Sequence, residues 1–96
     1  MRVYISGAIT SIGVERATKI FNDTERELKT KGYEVINPCR TNATLPELDH
    51  DGYMVTSIAM LSLCDTIYLL NGWENSDGAK EELLYALQHG YKIMKE

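Results

Sequence analysis

Cysteine, proline and long apolar runs are scarce in this sequence of 96 residues. Its two cysteines, Cys39 and Cys64, have no close partner spacing, which argues against a disulfide framework and a zinc signature. The longest apolar run is well short of a membrane span. Basic residues are also few, ten against fourteen acidic ones, and they form no cluster or stripe. A membrane and a nucleic-acid backbone are therefore not expected as partners.

Length and composition favour one globular domain over residues 1–96, because 44% hydrophobic residues is ordinary for a folded protein. The N-terminus enters a strand pattern directly, without the apolar segment of a signal peptide. We therefore expect a cytoplasmic protein. We expect no cofactor and no metal ion.

The hydrophobic pattern predicts four strands that alternate with three helices. The predicted strands are 3–6, 33–36, 66–70 and 91–94, the predicted helices are 12–31, 50–63 and 77–89, and a loop or lid covers 39–49. Because crossovers between parallel strands are right-handed, this order predicts an α/β fold of the flavodoxin or Rossmann-like type. Its small four-stranded parallel sheet has the order 2-1-3-4, with helices on both faces.

The predicted strand order changes direction between strands one and three, and open α/β sheets bind ligands at such a point. The first of these strands leads into Ser6, Gly7 and Ala8, and the other leads into the segment 71–76. The two loops are therefore expected to face each other across one crevice.

The segment 69–82 is the most informative part of the chain, because an apolar strand runs into a turn rich in Gly, Ser and Asn and then into a helix. The start of such a helix has unpaired N–H groups and the positive end of the helix dipole, which favour phosphate or a polar sugar. Glu82 leans back toward this turn, so we expect it to stand over a group docked in the crevice. In a simpler interpretation, Glu82 only offsets the helix dipole, which contributes about 0.3–1 kcal/mol.

Several short motifs occur together in a specific order. They are Tyr4-Ile5-Ser6-Gly7-Ala8-Ile9, Asn37-Pro38, Cys64-Asp65, Gly72-Trp73 with Ser76, Gly78, Ala79 and Glu82, and Tyr85-Ala86-Leu87 with Gly90. In this combination the chain resembles the nucleoside 2-deoxyribosyltransferase-like family over nearly its whole length. That family includes nucleotide N-glycosidases and a short branch found in bacteria and phages.

The resemblance implies roles for individual residues. The family's glutamate matching Glu82 attacks the anomeric carbon of the 2-deoxyribosyl group and displaces the base, and the tyrosine matching Tyr4 positions that glutamate. Ser76 and Gly78 match positions that hold a 5′-phosphate, and Gly7 lets the first loop approach the ligand. The implied ligand is a small molecule, a nucleoside or nucleotide.

Two of these roles compete with plain packing. Tyr4 is either the positioning tyrosine or a core aromatic of its strand. Trp73, which follows Gly72, is a platform for a base, a lid on the pocket or a packing residue.

The sequence departs from the family at Ser57, where the family usually has an aspartate. A serine is not a general acid near neutral pH, so the proton for the leaving base must come from elsewhere or is not supplied. Asp77, in the turn that opens the third predicted helix, is the best substitute. Ser57 itself either bonds a ribose hydroxyl or is an ordinary helix serine.

Two functions follow from these observations. The first is an enzyme that cleaves or transfers the N-glycosidic bond of a (deoxy)nucleoside or its 5′-monophosphate. The alternative, motivated by the missing acid, is a non-catalytic binder that sequesters a nucleotide or nucleotide-derived signal. The resemblance also implies a homodimer or higher homo-oligomer.

Overall fold

The computed structural model describes residues 1–96 and contains a four-stranded, all-parallel sheet with the order β2-β1-β3-β4. The strands are β1 (Arg2–Ser6), β2 (Glu34–Ile36), β3 (Thr66–Leu69) and β4 (Lys92–Lys95). The helices are α1 (Val14–Thr30), α2 (Pro38–Asn42), α3 (His50–Leu61) and α4 (Asp77–Gln88), and a 3-10 turn covers Trp73–Asn75. The predicted fold class and strand order are confirmed, and the ends of the predicted elements differ by one or two residues.

Successive side chains of β1 point to opposite faces of the sheet, which creates two separate cores. Val3 and Ile5 pack with α1 residues such as Phe21, whereas Tyr4 packs on the other face with residues of α3 and α4 such as Ala86. The helices therefore lie on both faces. By the same alternation, Ser6 is on the face of Tyr4, so the end of β1 presents two hydroxyl groups toward α3 and α4.

The prediction of a loop from Cys39 to Asp49 was wrong for the first residues of that segment, because they belong to α2. The Asn37 side chain accepts a hydrogen bond from the N–H of Cys39 at 3.0 Å, and Pro38 occupies the first helical turn. Asn at the N-cap and Pro at the first position are both favourable helix signals. The Asn-Pro pair therefore follows the end of β2 directly and begins a helix.

A buried carboxylate ties α2 to α1. Glu25, only 4% exposed, forms ion pairs with Lys29, at 2.7 Å, and with Arg40 of α2, and it accepts a hydrogen bond from Asn37 at 3.1 Å. Burial opposes its ionisation, but the hydrogen bonds from Lys29, Arg40 and Asn37 outweigh that effect and lower the pKa of Glu25 to about 2. This cluster holds the segment after β2 against α1.

Replacing Glu25 with Gln is expected to lower the free energy of unfolding at pH 7 by about 2 kcal/mol, since charge-assisted hydrogen bonds are lost. The pKa of Glu25 is lower when folded than its ordinary 4.5, so this stabilisation is complete above pH 4.5 and disappears as the pH falls toward 2. Urea unfolding at pH 7 and pH 3 measures the difference. Glu27→Gln, which affects an exposed pair with Lys31, is the matched control and should change little. Equal losses for both variants would contradict the role of Glu25.

Candidate functional site

A cleft of about 510 Å³ opens at the carboxyl edge of the sheet, at the switch point between β1 and β3. Its walls are residues 7 and 9–11 of the loop after β1, residues 48–50 and 53 around the start of α3, and residues 75–78 around the start of α4. The loops that follow β1 and β3 thus meet at one opening, as the strand order predicts.

Two helices direct their N-terminal ends into the cleft. The Asp49 side chain caps α3 by accepting the N–H of Gly52 at 2.8 Å, and the Ser76 side chain caps α4 by accepting the N–H of Ala79 at 3.1 Å. The first N–H groups of each helix have no carbonyl partner within that helix. The cleft therefore presents backbone donors and the positive ends of two helix dipoles.

The charged side chains of the cleft are negative, so they oppose the positive potential of the two helix ends. No Lys or Arg lines it, whereas the carboxylates of Asp49 and Asp77 do. His50, also on the wall, contacts Glu81 of α4 at 2.8 Å and links the starts of the two helices. Because the two carboxylates repel negative charge, the cleft suits a neutral or weakly anionic ligand better than a highly charged one.

Glu82 lies beneath the cleft wall, and the structure corrects the expectation that it stands in the crevice. It is 3% exposed and comes four residues after Gly78, which places it about 6 Å deeper along α4. The Tyr4 hydroxyl donates to Oε2 of Glu82 at 2.6 Å, and the Ser6 hydroxyl donates to Oε1 at 2.7 Å. Each carboxylate oxygen is thus held by one side chain of β1.

Burial raises the pKa of Glu82 to about 7, even though the hydrogen bonds from Tyr4 and Ser6 and the nearby Ser57 hydroxyl lower it. Burial, together with the Glu82 carboxylate, holds the pKa of Tyr4 well above its usual value. Tyr4 therefore remains a hydroxyl donor, while Glu82 gains or loses its proton near neutral pH.

Ser57 of α3 lies beside this carboxylate. Its side chain is fully buried, and its Oγ forms no hydrogen bond with another group of the protein. The hydroxyl is nevertheless near enough to lower the pKa values of Glu82, Tyr4 and Tyr53. The position where the resembled family has an acid is therefore adjacent to Glu82, and it holds a hydroxyl that is free to bond.

The other predicted site residues divide into three groups. Gly7, Ser76, Asp77 and Gly78 line the cleft; Ser6 and Ala8 are buried; Gly72 and Trp73 are not part of its wall. Trp73 packs instead against the apolar cluster that contains Tyr4. At Gly7 an added Cβ would lie 2.9 Å from Cβ of Leu70, so this position requires glycine for space.

Tyr53 lines the cleft next to Gly78 and was not predicted from the sequence. A signal was present, because Tyr53 and Ser57 are four residues apart and therefore share one face of α3. Asp49 was missed as the cap of α3, although its position before the apolar helix is a favourable N-cap signal.

The fold and the site together define a Rossmann-like α/β domain with a cleft at the carboxyl edge of its sheet. The family described as "Domain of unknown function (DUF4406)" matches residues 1–95, and the chain belongs to that family. A search of curated proteins found no match.

None of the helices combines the length and apolar character needed to span a membrane. No group of three or more His, Cys, Asp or Glu side chains is placed to hold a metal ion.

Replacing Glu82 with Gln is expected to stabilise the protein at pH 8, by up to about 3 kcal/mol. The pKa of Glu82 is higher when folded than its ordinary 4.5, so folding binds a proton between pH 4.5 and 7 and the carboxylate destabilises the fold above that range. Gln removes the charge and can still exchange hydrogen bonds with both hydroxyls. The gain should shrink at pH 5, as measured by urea unfolding. If Glu82→Gln instead lost the same amount of stability at pH 5 and at pH 8, Glu82 would not be a buried carboxylate without a compensating positive charge.

Proposed function

We propose that this protein binds a nucleoside or its 5′-monophosphate and cleaves or transfers the N-glycosidic bond, with Glu82 as the nucleophile. The observation that carries the proposal is the buried Glu82 carboxylate, held by Tyr4 and Ser6 under a cleft formed by two helix ends. A carboxylate with a perturbed pKa beside a cleft is typical of a reactive group. The resemblance of the motifs to the nucleoside 2-deoxyribosyltransferase-like family supplies the reaction class.

In the proposed reaction, a carboxylate oxygen of Glu82 forms a bond to the anomeric carbon while the bond from that carbon to the base breaks. The base leaves with the bonding electron pair and takes up a proton from a water molecule, which the Asp77 carboxylate at the cleft opening is proposed to hold in place of a direct acid. Water or a second base then attacks the same carbon, gives up its proton to the Asp77 carboxylate, and frees Glu82 as its bond to the carbon breaks. The hydroxyls of Tyr4 and Ser6 fix the carboxylate during both steps, and each oxygen keeps lone pairs for the attack.

The cleft offers positions for the two ends of such a ligand. The N–H groups at the start of α4, with Ser76 and Gly78 beside them, suit a single phosphate or a sugar hydroxyl. A second cavity of about 380 Å³ adjoins the cleft along Ile9, Leu48 and Tyr53 and is mostly apolar. An apolar cavity of this kind suits a flat base.

Incubation of the protein with nucleosides and their 5′-monophosphates is expected to release free base, detected by chromatography. Glu82→Ala should lower the rate by at least about a thousandfold, since the bond-forming group is lost. Glu27→Gln, which changes an exposed carboxylate of α1 away from the cleft, is the control and should retain activity. Equal release by Glu82→Ala and the unchanged protein would reject the proposal.

The rate of base release is also expected to depend on the ionisation of Glu82. Its pKa is about 7, and only the carboxylate is nucleophilic, so kcat/KM should rise about tenfold per pH unit below 7 and level off above it. Initial rates between pH 5 and 9 test this. A rate that instead falls as the pH rises through 7 would indicate proton donation by Glu82 and contradict its role as nucleophile.

A second candidate function is binding without turnover. Two observations favour it: Ser57 supplies no acid beside Glu82, and Glu82 itself is not part of the cleft wall. Such a protein would sequester a nucleotide or nucleotide-derived signal. Calorimetric titration with mono-, di- and cyclic nucleotides distinguishes the two, because tight binding with recovery of the intact ligand supports this function and an altered ligand rejects it.

We further propose a cytoplasmic protein that forms a homodimer or larger homo-oligomer. Exposed apolar side chains on neighbouring helices support a second copy as partner: Val55 of α3 is 73% exposed, and Leu84 and Leu87 of α4 are 55% and 60% exposed. Light scattering should give a mass at least twice that of the chain, and Val55→Glu with Leu87→Glu should reduce it to one chain. A mass of one chain at micromolar protein concentration would reject the proposed homo-oligomer.

A further inference from the structure

The groups around Glu82 do not include one that can protonate a leaving base. The hydroxyls of Tyr4 and Ser6 hold its carboxylate, and the Ser57 hydroxyl lies beside it. Burial holds the pKa of Tyr4 well above its usual value and raises that of Tyr53 to about 12. Hydroxyls of this kind do not give up a proton near neutral pH. A neutral base that leaves from this position therefore depends on a proton from water.

His50, the histidine of the cleft wall, is held on the exposed side of α4. Its Nε2 contacts Oε2 of Glu81 at 2.8 Å, and both side chains are about half exposed. Glu81 and Glu82 are neighbours in sequence, so their side chains leave the helix about 100° apart. His50 therefore pairs with a glutamate at the surface, whereas Glu82 is buried.

The walls of the cleft and of the second cavity have carboxylates and no Lys or Arg. Asp49 and Asp77 line the cleft, and Glu47 is the charged side chain that lines the second cavity. All three are exposed, so they are ionised at neutral pH. Each helix end contributes only about half a positive charge. The three carboxylates therefore outweigh the two helix ends, and both cavities favour a ligand with a positive charge.

A nucleoside whose base is already cationic fits both the negative walls and the missing acid. In a pyridinium nucleoside, the ring nitrogen that is bonded to the sugar has a formal positive charge. When the bond from the anomeric carbon to this nitrogen breaks, the electron pair goes to the nitrogen, and the base leaves as a neutral molecule without taking up a proton. The second cavity is mostly apolar and suits such a flat ring.

We propose that the site takes a nucleoside with a cationic base of the pyridinium class and cleaves its N-glycosidic bond without an acid. The inference rests on the proposed function and names its substrate class. Glu82 forms a bond to the anomeric carbon as the neutral base leaves, and water then replaces Glu82 at that carbon. Hydrolysis therefore releases one proton for each base. A neutral nucleoside releases no net proton, because its base takes one up.

Base release from nicotinamide riboside, a pyridinium nucleoside, is compared with release from uridine and adenosine, whose bases are neutral. We expect kcat/KM to be at least about a hundredfold larger for nicotinamide riboside, since acid catalysis contributes about 10²–10⁴-fold where it is available. An indicator dye in weak buffer should record one proton for each nicotinamide. Glu82→Gln, which lacks the nucleophile, gives the background rate of each nucleoside.

Binding tests the charge of the walls separately from the reaction. Calorimetric titration of Glu82→Gln compares nicotinamide riboside with its dihydro form, which has a similar shape and a neutral ring. The cationic form should bind about tenfold more tightly. Adding Glu47→Gln should weaken its binding about threefold, the effect of one unit charge about 7 Å away in water, and leave the dihydro form unchanged. Asp51→Asn is the matched control, because Asp51 is exposed but lines neither cavity.

Equal kcat/KM for all three nucleosides would overturn the inference and leave the proposed function intact. Equal affinity for the two forms of the ring, or no binding of nicotinamide riboside, would also overturn it. Preferred binding of the cationic form without base release from any nucleoside would support the cationic ligand and reject the proposed reaction, so the two failures are distinguishable.

Discussion

The site depends on two hydrogen bonds in which the hydroxyls of Tyr4 and Ser6 hold the Glu82 carboxylate. They join the central strand β1 to α4 inside the core on one face of the sheet. Strand alternation places both hydroxyls on that face, and the parallel pairing of β1 with β3 sets where β3 ends and the turn into α4 begins. The Ser76 cap then fixes the start of α4. Glu82, further along that helix, therefore lies beside the two hydroxyls of β1.

Two buried glutamates show why the partners of a carboxylate matter more than its burial. Glu25 and Glu82 are 4% and 3% exposed, yet the pKa of Glu25 falls to about 2 and that of Glu82 rises to about 7. Glu25 pairs with two cationic side chains and joins α1 to α2. Glu82 has only neutral hydroxyl partners, so burial dominates its pKa. The Glu25 carboxylate stabilises the fold. The buried Glu82 carboxylate lowers the stability of the fold, a cost that a reactive role would explain.

Much of the fold could be predicted because its signals are local. Periodicity gave the strands and helices, handedness gave the sheet order, and together they located the crevice. The contact between Tyr4 and Glu82 had been implied by the resemblance alone. The start of α2 was not predicted, although the Asn37-Pro38 pair has two local signals for the beginning of a helix, Asn as the N-cap and Pro in the first turn.

The depth of Glu82 and the position of Tyr53 could not be predicted in the same way. Both depend on how α3 packs against α4 around Gly78, a contact between segments distant in sequence. Likewise, the cluster of Glu25, Arg40 and Asn37 brings together residues up to fifteen positions apart. Local patterns identify which face of a helix is buried, but they do not specify the partner that covers it.

The most direct test of this account is a pH titration of the Glu82 side-chain carboxyl by carbon-13 NMR in the free protein, with Glu25 titrated in the same experiment. The account predicts that Glu82 titrates near 7 and Glu25 near 2. A Glu82 that titrates near its ordinary value of 4.5 would show that the carboxylate is solvated, and it would contradict the buried, hydroxyl-held carboxylate on which the proposed chemistry depends.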